Sequence, residues 1–204
     1  MKITNSFLVV SNYNCNLDWL KEYSDNYIIY NRGEKIDDPK AIQVENIGYN
    51  IHDYLSYIIE NYDKLPDVVQ FTKGNILERH ITKEEFDEVC NNKTFTPLLT
   101  KNHETQSGIS FYNENGIYEE KNTSWYLYSY GAKYYFSYAE FAKDFDIVYK
   151  DYLPFAPGAC YIVPKENILK HSKEYYSRLR DLVSWTQLPA EAHLIERTLY
   201  LLWL

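Results

Sequence analysis

Apolar residues come first as short continuous runs and then at helical spacing, and that change of period is the strongest signal in the chain. Ser6-Phe7-Leu8-Val9-Val10-Ser11 is an apolar run with polar ends, the pattern of a strand buried on both faces of a parallel sheet. Asn12-Tyr13-Asn14 turns the chain, Leu17-Asp18-Trp19-Leu20 begins a short helix, and Tyr27-Ile28-Ile29-Tyr30 is a second strand running into Asn31-Arg32-Gly33. Strand, turn, helix and strand in this order predict the opening of an open α/β sheet.

From Asn50 the apolar positions Ile51, Tyr54, Leu55, Ile58, Ile59 and Tyr62 predict one long amphipathic helix. Asn50 is placed as its N-cap, and Asp53 in the first turn, where the helix dipole favours a carboxylate. Leu65-Pro66 ends it, and Asp67 to Phe71 predicts another buried strand leading to Thr72-Lys73-Gly74-Asn75. Thr82-Lys83-Glu84-Glu85 is a capping box that opens a helix towards Val89, and Ser137-Tyr138-Ala139-Glu140 is a second one. Between them, residues 91–135 alternate polar turns with short aromatic strands, Ile109 to Tyr112 and Trp125 to Tyr130, as in an antiparallel insertion or an active-site loop. Pro157-Gly158-Ala159 turns into a strand ending at Val163, with Pro164 where a first helical turn tolerates it. Helices over Lys173 to Trp185 and Pro189 to Leu202 complete the chain. The fold class expected is α/β: a mixed, mostly parallel sheet flanked by helices, with a helical C-terminal third. No repeat or Pro/Gly/Ser-rich linker divides the chain, so residues 1–204 are read as a single domain, with 91–150 as an insertion or loop-rich segment.

Composition narrows the function classes. Hydrophobic residues make up 45% and charged residues 25% of the 204, which suits a folded domain rather than a disordered one. The 22 tyrosines fit cleft walls and sugar-stacking platforms, although abundant Asn, Lys, Ile and Tyr together also fit a coding bias. A net charge of −8 with no Lys/Arg block disfavours general nucleic-acid binding. No run reaches the ~20 apolar residues of a membrane span, and Phe7 to Val10 is too short for a signal-peptide core. Three widely spaced cysteines, Cys15, Cys90 and Cys160, suggest a reducing compartment, so the expected location is cytoplasmic. Gly-x-Gly-x-x-Gly, P-loop, His-Glu-x-x-His and Gly-x-Ser-x-Gly patterns are all missing.

Candidate chemistry comes from position. Ligands of open α/β sheets bind beyond the carboxyl ends of the strands. Those ends carry Ser11, Asn12 and Asn14, then Asn31 and Arg32, then Lys73, while Asn46 and Gly48 precede the long helix at a natural anion site. Together they offer amides, hydroxyls and two cations, a lining for a diphosphate and a ribose. The competing account is that Asn and Gly are simply turn formers. His52, His80 and His193 are further candidates, each also readable as a cap or surface residue.

Val9-Val10-Ser11-Asn12-Tyr13-Asn14 with Leu17-Asp18-Trp19-Leu20 resembles the opening of a family of uncharacterised glycosyltransferase-like proteins. The likeness continues through Tyr30-Asn31-Arg32-Gly33, Asn46-Ile47-Gly48, His52-Asp53-Tyr54-Leu55, Ile58 to Asp63 and Leu65-Pro66-Asp67. It resumes at Pro157 to Val163 and at Ile195-Glu196-Arg197, leaving residues 91–150 unmatched. The resemblance implies the nucleotide-sugar-binding architecture called GT-A, with a strand such as Gly158 to Val163 bordering the acceptor site. It also implies a carboxylate base at the start of the following helical region, which Glu191 or Glu196 could supply, flanked by His193. On an ideal helix of ~3.6 residues per turn these two carboxylates point about 140° apart, so both cannot serve one acceptor.

GT-A enzymes usually carry Asp-x-Asp after the strand equivalent to Val68 to Phe71, holding a divalent metal on the diphosphate. Here that place reads Thr72-Lys73-Gly74-Asn75, so Lys73 is a candidate to neutralise phosphate in the metal's stead. Asp144-Phe145-Asp146 is the one formal match to the motif, and whether Mn or Mg takes part is left open. The function expected is transfer of a sugar from a nucleotide-sugar donor to a glycan or other hydroxyl acceptor. The alternative is a catalytically inactive carbohydrate- or nucleotide-binding module, or an assembly subunit of a glycan-building complex.

Overall fold

A computed structural model describes residues 2–204. β1 (Phe7–Asn12), α1 (Asp18–Tyr23), β2 (Tyr27–Asn31), β3 (Ala41–Gln43), α2 (Tyr49–Asn61) and β4 (Val68–Lys73) form the first half. The four strands are parallel, with Val9 opposite both Ile28 and Phe71. Successive side chains of β1 point to opposite faces. Val9 enters the core under α2, while Leu8 and Val10 enter a second core with Leu20, Tyr23 and Phe86. Both faces of β1 are covered, which explains its unbroken apolar run.

The middle of the chain contributes α3 (Ile76–Arg79), α4 (Lys83–Val89), β5 (Thr96–Pro97), β6 (Ser110–Tyr112), β7 (Tyr118–Lys121), α5 (Tyr126–Ser129), α6 (Tyr138–Asp144) and β8 (Tyr152–Pro154). β9 (Tyr161–Pro164) follows, then α7 (Lys165–Ile168), α8 (Lys173–Val183), α9 (Ala190–Glu196) and α10 (Leu199–Trp203). β9 runs antiparallel to β4, pairing Val163 with Val69, and the main sheet has the order β3-β2-β1-β4-β9-β5. β6, β7 and β8 form a separate antiparallel sheet. The fold is therefore mixed α/β, with a mostly parallel six-stranded sheet, flanking helices and a helical C-terminus. Trp203, fully buried, stacks on Phe71 at 5.1 Å and locks α10 against the sheet.

Several local expectations are corrected. α2 begins at Tyr49 behind a left-handed Gly48, and Asn50 does not cap it; its amide instead donates to the Gly158 carbonyl at 2.9 Å. Asp53 lies beyond the first turn and is buried. Trp125 to Tyr130 is not a strand: residues Tyr126–Ser129 form a helical turn, and the rings of Trp125, Tyr126 and Tyr130 gather around His193, the last two from positions i and i+4, rather than alternating across a sheet. The last helix is broken at Arg197-Thr198. There the Thr198 hydroxyl donates back to the Leu194 carbonyl at 2.8 Å and its backbone N–H shifts to the Ile195 carbonyl. The four-residue helix α3 has too few turns to show a period.

Candidate active-site cleft

Beneath the carboxyl ends of β1 and β2 lies a buried ion pair. Arg32 Nε donates to Asp53 Oδ2 at 2.7 Å, and the Ser11 hydroxyl donates to the same oxygen at 2.6 Å. Burial pushes the Asp53 carboxyl up to about 6, against the opposing pull of Arg32 and Ser11. Arg32 Nη2 has no hydrogen-bond partner among the described residues.

Above this floor opens a cavity of about 270 Å³. Ser11 and Arg32 come from the strand ends, Asn46, Tyr49 and Asn50 from the entry to α2, and Gln187 and Leu188 from the α8–α9 loop. Lys73 at the end of β4 and Arg79 at the end of α3 line it too, with Tyr13, Cys15, Gly74 and Asn75, and no carboxylate lines it. Neither Lys73 nor Arg79 forms an ion pair among the described residues, so in a chain of net charge −8 this cavity is a local concentration of positive charge. Tyr49 adopts φ 55°, a strained conformation for an aromatic residue.

A second cavity of about 350 Å³ shares Tyr49, Asn50, Lys73 and Arg79 with the first, so the two are halves of one cleft. Its far wall holds His80, Gly158, His193 and Glu196. Glu196 Oε1 accepts the Gly158 N–H at 2.7 Å, and Oε2 lies 3.3 Å from His193 Nδ1 and 3.9 Å from Arg197 Nη1. Burial works against the Glu196 charge, but His193, Arg197 and the Gly158 amide outweigh it and hold the carboxyl below its ordinary value. The His193 ring lies on Tyr130 at 4.8 Å and against Tyr126 at 5.6 Å, which fixes its orientation. Gly158 has φ 95°, and a Cβ there would run into the His80 ring. Burial, with Lys73 nearby, pulls His80 down to about 4 and keeps it neutral.

The cleft thus gathers Ser11, Arg32, Asn46 and Lys73 in one half and His80, Gly158, His193 and Glu196 in the other. Other sequence candidates are framework. Asn12 donates to Asn31 Oδ1 at 2.9 Å, and Asn31 donates to the Glu34 carbonyl at 2.7 Å. Asn14 accepts the Glu34 N–H at 2.8 Å, so these three amides are spent in tying the strand-end turns together. Gly48 is a packing turn, where a Cβ would sit 2.6 Å from the Val183 carbonyl. His52 lines neither half; burial, with Arg32 and Arg180, lowers it to about 4.

Glu191 is corrected as a base candidate. It is completely buried, and its Oε1 accepts the backbone N–H groups of Lys133 and Tyr134, both at 2.7 Å, which clamps the 131–134 turn to α9. It lines neither half of the cleft. Arg79, Tyr49 and Asn50 line both halves of the cleft and His103 lines the second, with no sequence pattern to mark them. A single Arg in a four-residue helix carries no periodic signal, and a left-handed tyrosine is invisible in a sequence.

The donor set does not fit a divalent cation. The first half of the cleft is lined by Lys73 and Arg79 and no carboxylate, and no group of three His, Cys, Asp or Glu among the described residues gathers in metal-holding geometry. Asp144 accepts from the Tyr135 hydroxyl at 3.1 Å and, like Asp146, stays outside the cleft.

Fold and site define an α/β protein with a two-part polar cleft at the carboxyl edge of its sheet. The chain belongs to the family described as "Protein of unknown function (DUF3431)", whose model matches residues 8–204. No curated protein and no solved structure matches the chain. No helix among the described residues is long and apolar enough to cross a membrane.

Proposed function

We propose that this protein is a glycosyltransferase that takes its sugar from a nucleotide-sugar donor. The observation that carries the reading is the shared wall of the cleft: Lys73 and Arg79 face both the cation-rich half and the half that holds Glu196. In this reading the donor diphosphate lies against Lys73, Arg79 and the open nitrogen of Arg32, and its sugar reaches into the second half. The acceptor hydroxyl attacks the anomeric carbon while Glu196, an ionised carboxylate, accepts the proton. The bond from that carbon to the diphosphate oxygen breaks, and its electron pair leaves on the diphosphate. Lys73 and Arg79 stabilise the charge that develops there, the largest contribution fixed cations make to such a transition state. His193 and the Gly158 amide orient the carboxylate.

A thermal-shift screen against nucleotide sugars and free nucleoside diphosphates, each with and without manganese, tests this reading. A ligand at ~100-fold excess over its Kd adds about 2.7 kcal/mol of apparent stability. Stabilisation by one nucleotide family, followed by release of its diphosphate in the presence of an acceptor, is the expected result. Saturable binding without turnover supports an inactive binding module instead, and no response to any nucleotide overturns the donor assignment.

A further inference from the structure

A third cavity of about 570 Å³ continues the cleft, sharing His103 with its second half. It lies between the 103–109 loop, the β6–β7 hairpin and Trp125. Trp125 is 44% exposed, yet its ring is fixed from behind by Tyr126, Tyr130 and His193, the last at 5.6 Å. It is therefore a rigid aromatic surface joined to the ring that orients Glu196. The side chains of Thr105, Gln106 and Thr123 also line this cavity and form no hydrogen bond among the described residues. Its charge differs from that of the first cavity. No Lys or Arg lines it, Glu104 is exposed there, and Glu120 is ion-paired with Arg197 at 2.7 Å and accepts a hydrogen bond from the Tyr118 hydroxyl at 2.9 Å.

The geometry points to a binding subsite for an uncharged saccharide, the acceptor of the proposed transfer, with one pyranose face on Trp125 and its hydroxyls on Thr105, Gln106 and Thr123. Aromatic rings meet the apolar face of a sugar while unclaimed hydroxyls and amides meet its edge, and a few such convergent polar groups set orientation. Glu104 and the absence of a lining cation among the described residues select against acidic sugars. The assignment rests on the transferase reading only for the word acceptor; the saccharide site itself stands on the third cavity alone.

Titration calorimetry of the full chain with maltotriose, chitotriose and tri-galacturonate, alongside UDP and GDP, tests it. Saturable binding of a neutral trisaccharide is expected, with tri-galacturonate at least about tenfold weaker and Trp125→Ala weakening the neutral ligand about tenfold, as loss of a stacked ring does. The exposed Gln106→Ala gives a smaller loss without touching the core, and unchanged diphosphate affinity in both variants shows that they fold. No saturable binding of the neutral trisaccharides, or binding indifferent to Trp125→Ala, overturns the subsite. Diphosphate binding without saccharide binding leaves the donor reading standing, and saccharide binding without diphosphate binding removes the transferase reading while keeping this site.

Discussion

Arg32 and Asp53, 21 residues apart, meet at 2.7 Å with side chains 4% and 1% exposed, tying the turn after β2 to α2 beneath the cleft. Removing one partner of such a pair leaves a buried uncompensated charge, so Asp53→Ala is expected to cost about 3–5 kcal/mol in urea unfolding. A paired apolar replacement, Arg32→Met with Asp53→Leu, recovers most of that loss. If both unfold alike, the pair is not the source of the defect.

Lys73 and Arg79 sit at the cleft without ion-pair partners among the described residues. Each is expected to contribute a charge-assisted hydrogen bond of about 1.5–3 kcal/mol, so Lys73→Ala or Arg79→Ala weakens diphosphate binding about ten- to hundredfold. Added salt narrows the difference from the unmodified protein. Unfolding midpoints stay nearly constant, because neither side chain supports the core.

The two C-terminal carboxylates separate by measurement. If Glu196 is the base of the proposed transfer, Glu196→Gln keeps the shape of the Gly158 contact but cannot accept a proton, so turnover is expected to fall by about 100-fold or more while donor affinity persists. Glu191→Ala strands the N–H groups of Lys133 and Tyr134 and costs about 2–4 kcal/mol of stability instead. Full turnover in Glu196→Gln rules out its role as base.

Gly158→Ala tests how the second half of the cleft is built. Its φ of 95° and the His80 ring both oppose a side chain, while Glu196 and Asn50 hold its N–H and carbonyl. The expected result is a loss of about 1–3 kcal/mol from backbone strain, together with a displaced Glu196 and reduced turnover. Wild-type stability in this variant would mean that the turn can relax.

Acid should destabilise the fold through buried histidines. Burial brings His52 and His80 from 6.5 to about 4, so between pH 6.5 and 4 the unfolded chain binds protons that the native state refuses. Asp53 opposes this from 3.8 up to about 6, since there the native state is the one that keeps the proton. The two histidines outweigh the single carboxyl, so stability falls as the pH is lowered from 6.5 towards 4. His103 and His171, also lowered by burial, act in the same direction. Urea unfolding at pH 7 and pH 5 checks the sign, and His52→Gln with His80→Gln should flatten the profile.

The parallel strands and long amphipathic helices were legible in the sequence because burial on both faces, or on one helical stripe, imposes a period that survives in one dimension. β1, β2, β4, α2 and α8 stand close to where apolar spacing puts them. Strand ends bearing Ser11, Arg32 and Lys73 were legible too, since parallel topology brings such ends to one edge. The choice between Glu191 and Glu196 was not. Both follow the same helix start, and only the packing of the 131–134 turn and of Gly158 turns one inward and the other to the cleft. Asn12, Asn14 and Asn31 looked like ligand groups because an amide suits a turn and a phosphate equally; which it serves depends on neighbours far along the chain. Periodicity records what each segment buries. The meeting of Arg79, Tyr49, His193 and Trp125 depends on long-range packing, and no local pattern encodes it.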